Sequence, residues 1–461
     1  MIHAIVALLC LVSGFLSAYP VAAIFSWLSL YVTFLLFWRE NEPKVIFFGL
    51  VFFWLTIPIK LFYADLYGIP YESLSRSNNI VEVTYVSLVG YMVFILGIYF
   101  PVRTYKRKLD YSAKRFIEYY DESKVTRIYV YAFIATNIIQ GALFLIPGLS
   151  QLLFGFLQLK LGFIFLLIFS IQVSKRNAVI GYSILAFEIA ISFFSIFSNF
   201  KDILITIIVS ITFFDIFINR KRLVYFIIGV LACGYLFLVW QEVKGEYRTY
   251  LTGGEKSQDI KAERADALQY LSVLFSNAQI LGNQKLIYST VDRIGYIEFF
   301  AQATNRVPSQ IPHEGGEIWK DNVLHILMPR IFFPDKRVVD DSEMVNKYCI
   351  QRVSQGKGAT FSLGFMAESY IDYGWYLMYL PIFFVGYLFG SMYKLIMRVS
   401  PNYLWACVGV TPLWFNIACN GTPGTKILGW LFTYFIALVI FRRFMLAPID
   451  KMIRKKQRSA A

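Results

Sequence analysis

Two carboxylates four residues apart, Glu368 and Asp372, stand in the stretch Glu368-Ser-Tyr-Ile-Asp-Tyr-Gly374, just ahead of a long apolar run. On a helix that spacing puts both on one face. Carboxylates where a helix meets a membrane are costly unless they face water, cations or substrate hydroxyls, which suits proton transfer or sugar binding. The plainer alternative is the general preference for acids near a helix amino terminus. Upstream lies Pro329-Arg-Ile-Phe-Phe-Pro-Asp-Lys-Arg337, where two prolines bracket Phe332 and Phe333, and Arg330, Lys336 and Arg337 crowd together. Arg grips a phosphate through a two-pronged fork, and the phenyl rings could sit among lipid chains, so the element suits an anionic headgroup. It could equally be an interfacial anchor with snorkelling cations. A helical stretch from Lys285 to Ala303 carries Asp292, Arg293 and Glu298. Arg248, Arg264, Arg306 and Arg352 are further cations of the same segment that could touch a diphosphate or an acidic sugar, although each alone is more often a solvated side chain. His313, Glu314 and Glu317 match no metal-ligand spacing, and the five cysteines form neither a disulfide framework nor a zinc pattern. No metal and no cofactor is called for.

The elements that must hold these residues are apolar. Of 461 residues 57% are hydrophobic and 16% charged, against about 25% charged in soluble domains. Crossing a bilayer takes about 20 mostly apolar residues, and about twelve stretches qualify, near 3–18, 21–38, 45–63, 81–100, 128–147, 150–172, 178–198, 202–218, 223–240, 374–397, 402–419 and 427–446. The first is read as a helix rather than a cleaved signal, since no basic region precedes it. The expected fold is an all-α polytopic membrane protein with four parts: nine helices in 1–240, one large and mainly helical exterior loop in 241–373, three helices in 374–446 and a basic tail in 447–461. Lys160 and Glu188 fall mid-span in consecutive helices and are placed to pair.

Short connections alternate between basic and charge-poor. Arg103 to Arg127 holds eight Lys/Arg, and Lys175-Arg176, Arg220-Lys221-Arg222, Lys394, Arg398 and the tail belong to the same basic set, so that side is cytoplasmic by the positive-inside rule. Both termini then lie in the cytoplasm and Gln241 to Asp372 lies outside, with 15 Lys/Arg balanced by 17 Asp/Glu. The +14 net charge is thus explained by topology and does not require nucleic acid. No cytoplasmic connection is long enough to fold a nucleotide-binding domain, and neither GxxxxGK[ST] nor a GxGxxG at a strand-to-helix junction occurs. A site outside the cell has no ATP, so its donor must arrive activated.

The many spans, the late exterior loop, the Pro329 to Lys336 element and the pattern Thr360, Gly364, Glu368, Tyr370, Asp372, Gly374 resemble the Wzy-type O-antigen and exopolysaccharide repeat-unit polymerases. The motif-level likeness covers residues 290–390. The resemblance implies a fold similar to the membrane-embedded GT-C-like glycosyltransferases and a place in the bacterial cytoplasmic membrane. It also implies transfer of a growing glycan from one undecaprenyl diphosphate to an incoming lipid-linked repeat unit. Partners would be that lipid-linked oligosaccharide and the bilayer, with a chain-length regulator and a flippase as associated proteins. Under this reading Asp372 and Glu368, then Asp292, are the candidate catalytic carboxylates, and Arg293, Arg330, Lys336, Arg337 and Tyr370 would hold diphosphate or substrate. The competing readings are an O-antigen ligase, a lipid-linked glycan flippase or transporter, and a membrane acyltransferase.

Overall fold

The computed structural model describes residues 2–455 except 40–41, 106–112, 146–148, 175–177, 194–199, 215–219, 255–260, 281, 329–332, 334, 337–339 and 354–360. In chain order the helices are α1 Ile2–Leu16, α2 Pro20–Phe37, α3 Val45–Leu55, α4 Ile59–Tyr67, α5 Ile80–Val102, α6 Ala113–Tyr119, α7 Glu122–Leu145, α8 Ser150–Ser174, α9 Ala178–Ser192, α10 Phe200–Ile211 and α11 Arg220–Leu251. They continue with α12 Arg264–Asn277, α13 Gln284–Ile294, α14 Ile297–Thr304, α15 Glu317–Leu327, α16 Asp341–Tyr348, α17 Phe365–Leu377, α18 Tyr379–Val399, α19 Tyr403–Val410, α20 Leu413–Ile417, α21 Gly424–Ile440 and α22 Leu446–Ile453. Among the described residues there is no strand, so the all-helical expectation holds.

Among the described residues six helices are long and apolar enough to cross a membrane: α2, α5, α8, Leu223–Leu251 of α11, α18, and Gly424–Ile453 through α21 and α22. The count of about twelve is not reproduced as twelve long helices, and prolines explain part of the difference. Pro58 separates α3 from α4, and the two are bent by 53°. Pro412 separates α19 from α20, and α9 runs only 15 residues. Around the large segment the boundaries also move. Helix α11 continues to Leu251, and α17 runs through Leu377 before α18 begins at Tyr379.

Glycines set how closely the long helices approach. A Cβ on Gly97 of α5 would lie 2.3 Å from the Phe383 carbonyl oxygen of α18, and one on Gly386 would lie 2.4 Å from that of Phe94. Helix α8 meets α19 and α21 the same way, since a Cβ on Gly162 would fall 2.3 Å from the Val408 oxygen and one on Gly155 2.5 Å from the Thr433 oxygen. Backbone contact of this kind substitutes for a hydrophobic driving force, which lipid does not supply between helices. A second core joins α9 to α12 through Phe193, Phe200, Trp240, Tyr247 and Leu271. The segment after α11 is anchored by Lys60 of α4. Its buried ammonium sits 2.7 Å from Asp292 of α13 and 3.1 Å from Glu298 of α14, and it also donates to the Leu74 carbonyl.

Lys160 of α8 and Glu188 of α9 form the ion pair that their spacing suggested, and the Tyr129 hydroxyl donates to the same carboxylate. Breaking a buried pair by altering one partner costs about 3–5 kcal/mol. Lys160→Glu should therefore lower the unfolding temperature in detergent, and Lys160→Glu with Glu188→Lys should recover most of it. Equal loss in both would remove the pair from the account of stability.

Candidate functional site

Helix α17 begins where Gly364, at φ 84°, brings the chain so close to the Asn420 carbonyl that a Cβ would lie 2.3 Å from it. The Phe365 amide donates to the Thr422 oxygen at 2.9 Å, and the Phe365 ring packs against Phe53 and Phe94. The helix is thereby fixed against both the bundle and the 420–426 turn. Gly374, at φ 71°, interrupts it and redirects the chain into α18.

The two carboxylates of α17 engage different helices. Asp372 receives the Ile318 amide at 3.1 Å on one oxygen and the Trp319 amide at 2.8 Å on the other, so it caps the amino terminus of α15. Burial holds its pKa above the usual value even though these amides oppose the shift. Glu368 receives the Gly424 amide at 2.8 Å and Asn322 Nδ2 at 3.1 Å, capping α21. A side chain at 424 would exclude this contact, since a Cβ there would lie 2.6 Å from Asn322 Nδ2. Both bonds end on Oε2, and among the described residues Oε1 has no partner. Burial pushes the Glu368 pKa up to about 7; the Gly424 amide and Asn322 oppose the shift, and the negative charges of Asp341 and Asp372 add to it.

Glu368 lines a cavity of about 540 Å³ between α15, α16, the start of α17 and the turn before α21. Seven carboxylates line it, Glu314, Glu317, Asp321, Asp340, Asp341, Glu343 and Glu368, against Lys336 and Lys347. Asp341 is buried and pairs with Lys426 through Oδ2, while its Oδ1 is buried with no hydrogen-bond partner among the described residues. Glu314 is held below the usual carboxylate range by Lys347 at 2.7 Å and by the Tyr348 hydroxyl. Among the described residues no three His, Cys, Asp or Glu side chains are grouped to hold a metal ion. Such a cleft can accept hydrogen bonds from many hydroxyls and move a proton at Glu368, but it repels anions.

The structure separates the residues singled out from the sequence. Glu368 is at the cavity. Asp372 lies behind it as a helix cap, and both its oxygens are taken by amides. Asp292 belongs to the Lys60 clamp. Tyr370 is buried, donates to the Val307 carbonyl at 2.7 Å and packs its ring at a tilt against Trp375, so it is part of the packing. Lys336 lines the cavity, yet its ammonium is donated to the His325 and Met328 carbonyls at the carboxyl end of α15. Arg293 is exposed on α13, away from the cavity lining. Arg330 and Arg337 lie outside the described residues, as does Thr360. Asp341, Asn322, Gly424 and Lys426 gave no usable signal: Asp341 stands among the like charges Asp340 and Glu343, and Lys426 enters only through a contact 85 residues away in sequence.

Fold and site together define a helical membrane protein with a carboxylate-lined cavity between α15, α16, the start of α17 and the amino end of α21. The chain belongs to a family described as a domain of unknown function (DUF8712), whose model matches residues 50–453. No curated protein and no solved structure matches it.

A carboxyl whose pKa rises from 4.5 to about 7 on folding takes up a proton in that interval. Its contribution to stability is complete below pH 4.5 and is lost as pH rises toward 7, by up to about 3 kcal/mol. Glu368→Gln, which can still accept the Gly424 amide, should flatten the fall in unfolding temperature over this range. An unchanged slope would show that Glu368 titrates normally. Separately, Asp372→Ala should cost about 0.5–2 kcal/mol through the lost cap of α15, measured by denaturation at pH 7.

Proposed function

We propose that the protein is a membrane glycosyltransferase that polymerises oligosaccharide repeat units carried on undecaprenyl diphosphate, with its cavity on the outer face of the bacterial cytoplasmic membrane. The observation that carries this reading is Glu368, a buried carboxyl with pKa about 7 in a carboxylate-rich cavity of about 540 Å³. Binding clefts commonly span roughly 300–1,000 Å³, room for a few sugar rings. Carboxylates are suited to sugar hydroxyls, and a general base works best when its pKa is near the operating pH.

In the reaction the acceptor hydroxyl attacks the anomeric carbon of the growing glycan and gives its proton to Glu368. The bond between that carbon and the diphosphate oxygen breaks, and the lipid diphosphate leaves with the bonding electrons. Asp341, held by Lys426, would orient acceptor hydroxyls. The resemblance of 290–390 to repeat-unit polymerases supports the choice of substrate, and the positive-inside count of short loops supports the orientation. The bent pair α3–α4, the broken pair α19–α20 and helices α1, α7, α9 and α10 would supply the further crossings of a twelve-span, GT-C-like arrangement.

Purified protein given a lipid-linked repeat unit should yield a ladder of products, and Glu368→Gln should slow it by about 10²–10⁴-fold while the variant remains folded. A ligase would form no ladder and would leave cells lacking it with unattached polymer. Deletion of a polymerase leaves single units attached, and a ladder undiminished in Glu368→Gln would remove that residue from the chemistry.

A further inference from the structure

The two lysines that line the acidic cavity, Lys336 and Lys347, are already bonded within the protein, so a lipid diphosphate needs further cations, which directs attention elsewhere. Lys244 and Arg248 are one helical turn apart on α11 and share a face. Lys201 at the start of α10 and Arg293 on α13 complete the group, and each of the four lies within electrostatic reach of others in it. Lys201, Lys244 and Arg248 are half-buried. Asp202 is the carboxylate set against Lys201, and Asp292, next to Arg293, is committed to Lys60. Arg248 Nε is buried with no hydrogen-bond partner among the described residues. Gathering like charges in this way is unfavourable unless an anion joins them.

The same two helices form a groove. A cavity of about 330 Å³ lies between α10 and α11, lined by Leu204, Ile207, Ile211, Phe226, Val230 and Cys233. Only 11% of the apolar stretch of α11 is buried within the protein. Helix α10 begins at the cations and runs along the groove to Ile211, about 15 Å at 1.5 Å per residue. Helix α11 runs back from the groove to Lys244 and Arg248. Cations therefore stand at one end of an apolar slot, a charge arrangement complementary to a phosphate headgroup on a hydrocarbon chain.

We propose that Lys201, Lys244, Arg248 and Arg293 bind the phosphate headgroup of a polyprenyl-type lipid whose chain lies in the α10–α11 groove. The choice of a diphosphate lipid rests on the function proposed above. The site shares no lining residue with the acidic cavity.

The test uses the full-length protein in detergent micelles, with binding of farnesyl diphosphate, farnesol and inorganic diphosphate measured by competition. Farnesyl diphosphate should bind at least tenfold more tightly than either of the others. Lys244→Gln with Arg248→Gln should weaken it by about tenfold or more, as expected for losing charge-assisted hydrogen bonds. Gly229→Phe, at a groove position whose Cβ would meet nothing within 4 Å, should weaken farnesyl diphosphate and leave inorganic diphosphate unchanged. Equal affinity for inorganic diphosphate would mean a free-anion site, and equal affinity for farnesol would mean simple partition; either overturns the proposal. So would unchanged binding in both variants. Because the readout is binding alone, a protein that binds yet forms no product ladder refutes the polymerase reading and leaves this site standing.

Discussion

Much of the candidate site depends on one short helix supplying a carboxylate to each of two others. Asp372 and Glu368 leave α17 on the same face, yet one meets the first amides of α15 and the other the first amide of α21. Helix amino termini carry unpaired N–H groups and a partial positive charge, so a carboxylate from outside the helix satisfies both at once. With α15 and α21 fixed to α17, the cavity between them acquires walls. Gly364 and Gly424 let the backbones come close enough for this, and Phe365 ties the assembly to α5 and α3.

The cost of that arrangement falls unequally. Asp372 has amides on both oxygens and is satisfied. Glu368 has its two bonds on one oxygen, lies next to Asp341 and Asp372 in charge, and is buried, so its proton is retained to near neutrality. A residue that stabilises α21 is thereby also a proton acceptor poised near pH 7. Structural and chemical roles are two consequences of the same burial.

The sequence made the apolar helices legible because hydropathy is a local property, and Lys160 with Glu188 could be paired because both lie mid-span in neighbouring helices. It also placed Glu368 and Asp372 on one face. What each would touch was not legible, since Gly424, Asn322 and Ile318 are brought in by tertiary contacts that leave no local pattern. The same limit hid Asp341 among its acidic neighbours. Lys336 looked like a phosphate ligand by type, but carbonyls at the end of α15 claim it. Pro58 and Pro412 interrupt apolar runs that hydropathy treats as continuous, so two of the expected spans are each divided between two helices.

The central claim is that the Glu368 carboxyl is protonated in the folded protein up to near-neutral pH. Infrared difference spectra of the wild type and Glu368→Gln, titrated across neutral pH, test it directly. The account predicts a protonated-carboxyl band that disappears with an apparent pKa of about 7 and is missing from the variant. A wild type without such a band above the ordinary carboxylate range, or a variant that keeps it, would contradict the account.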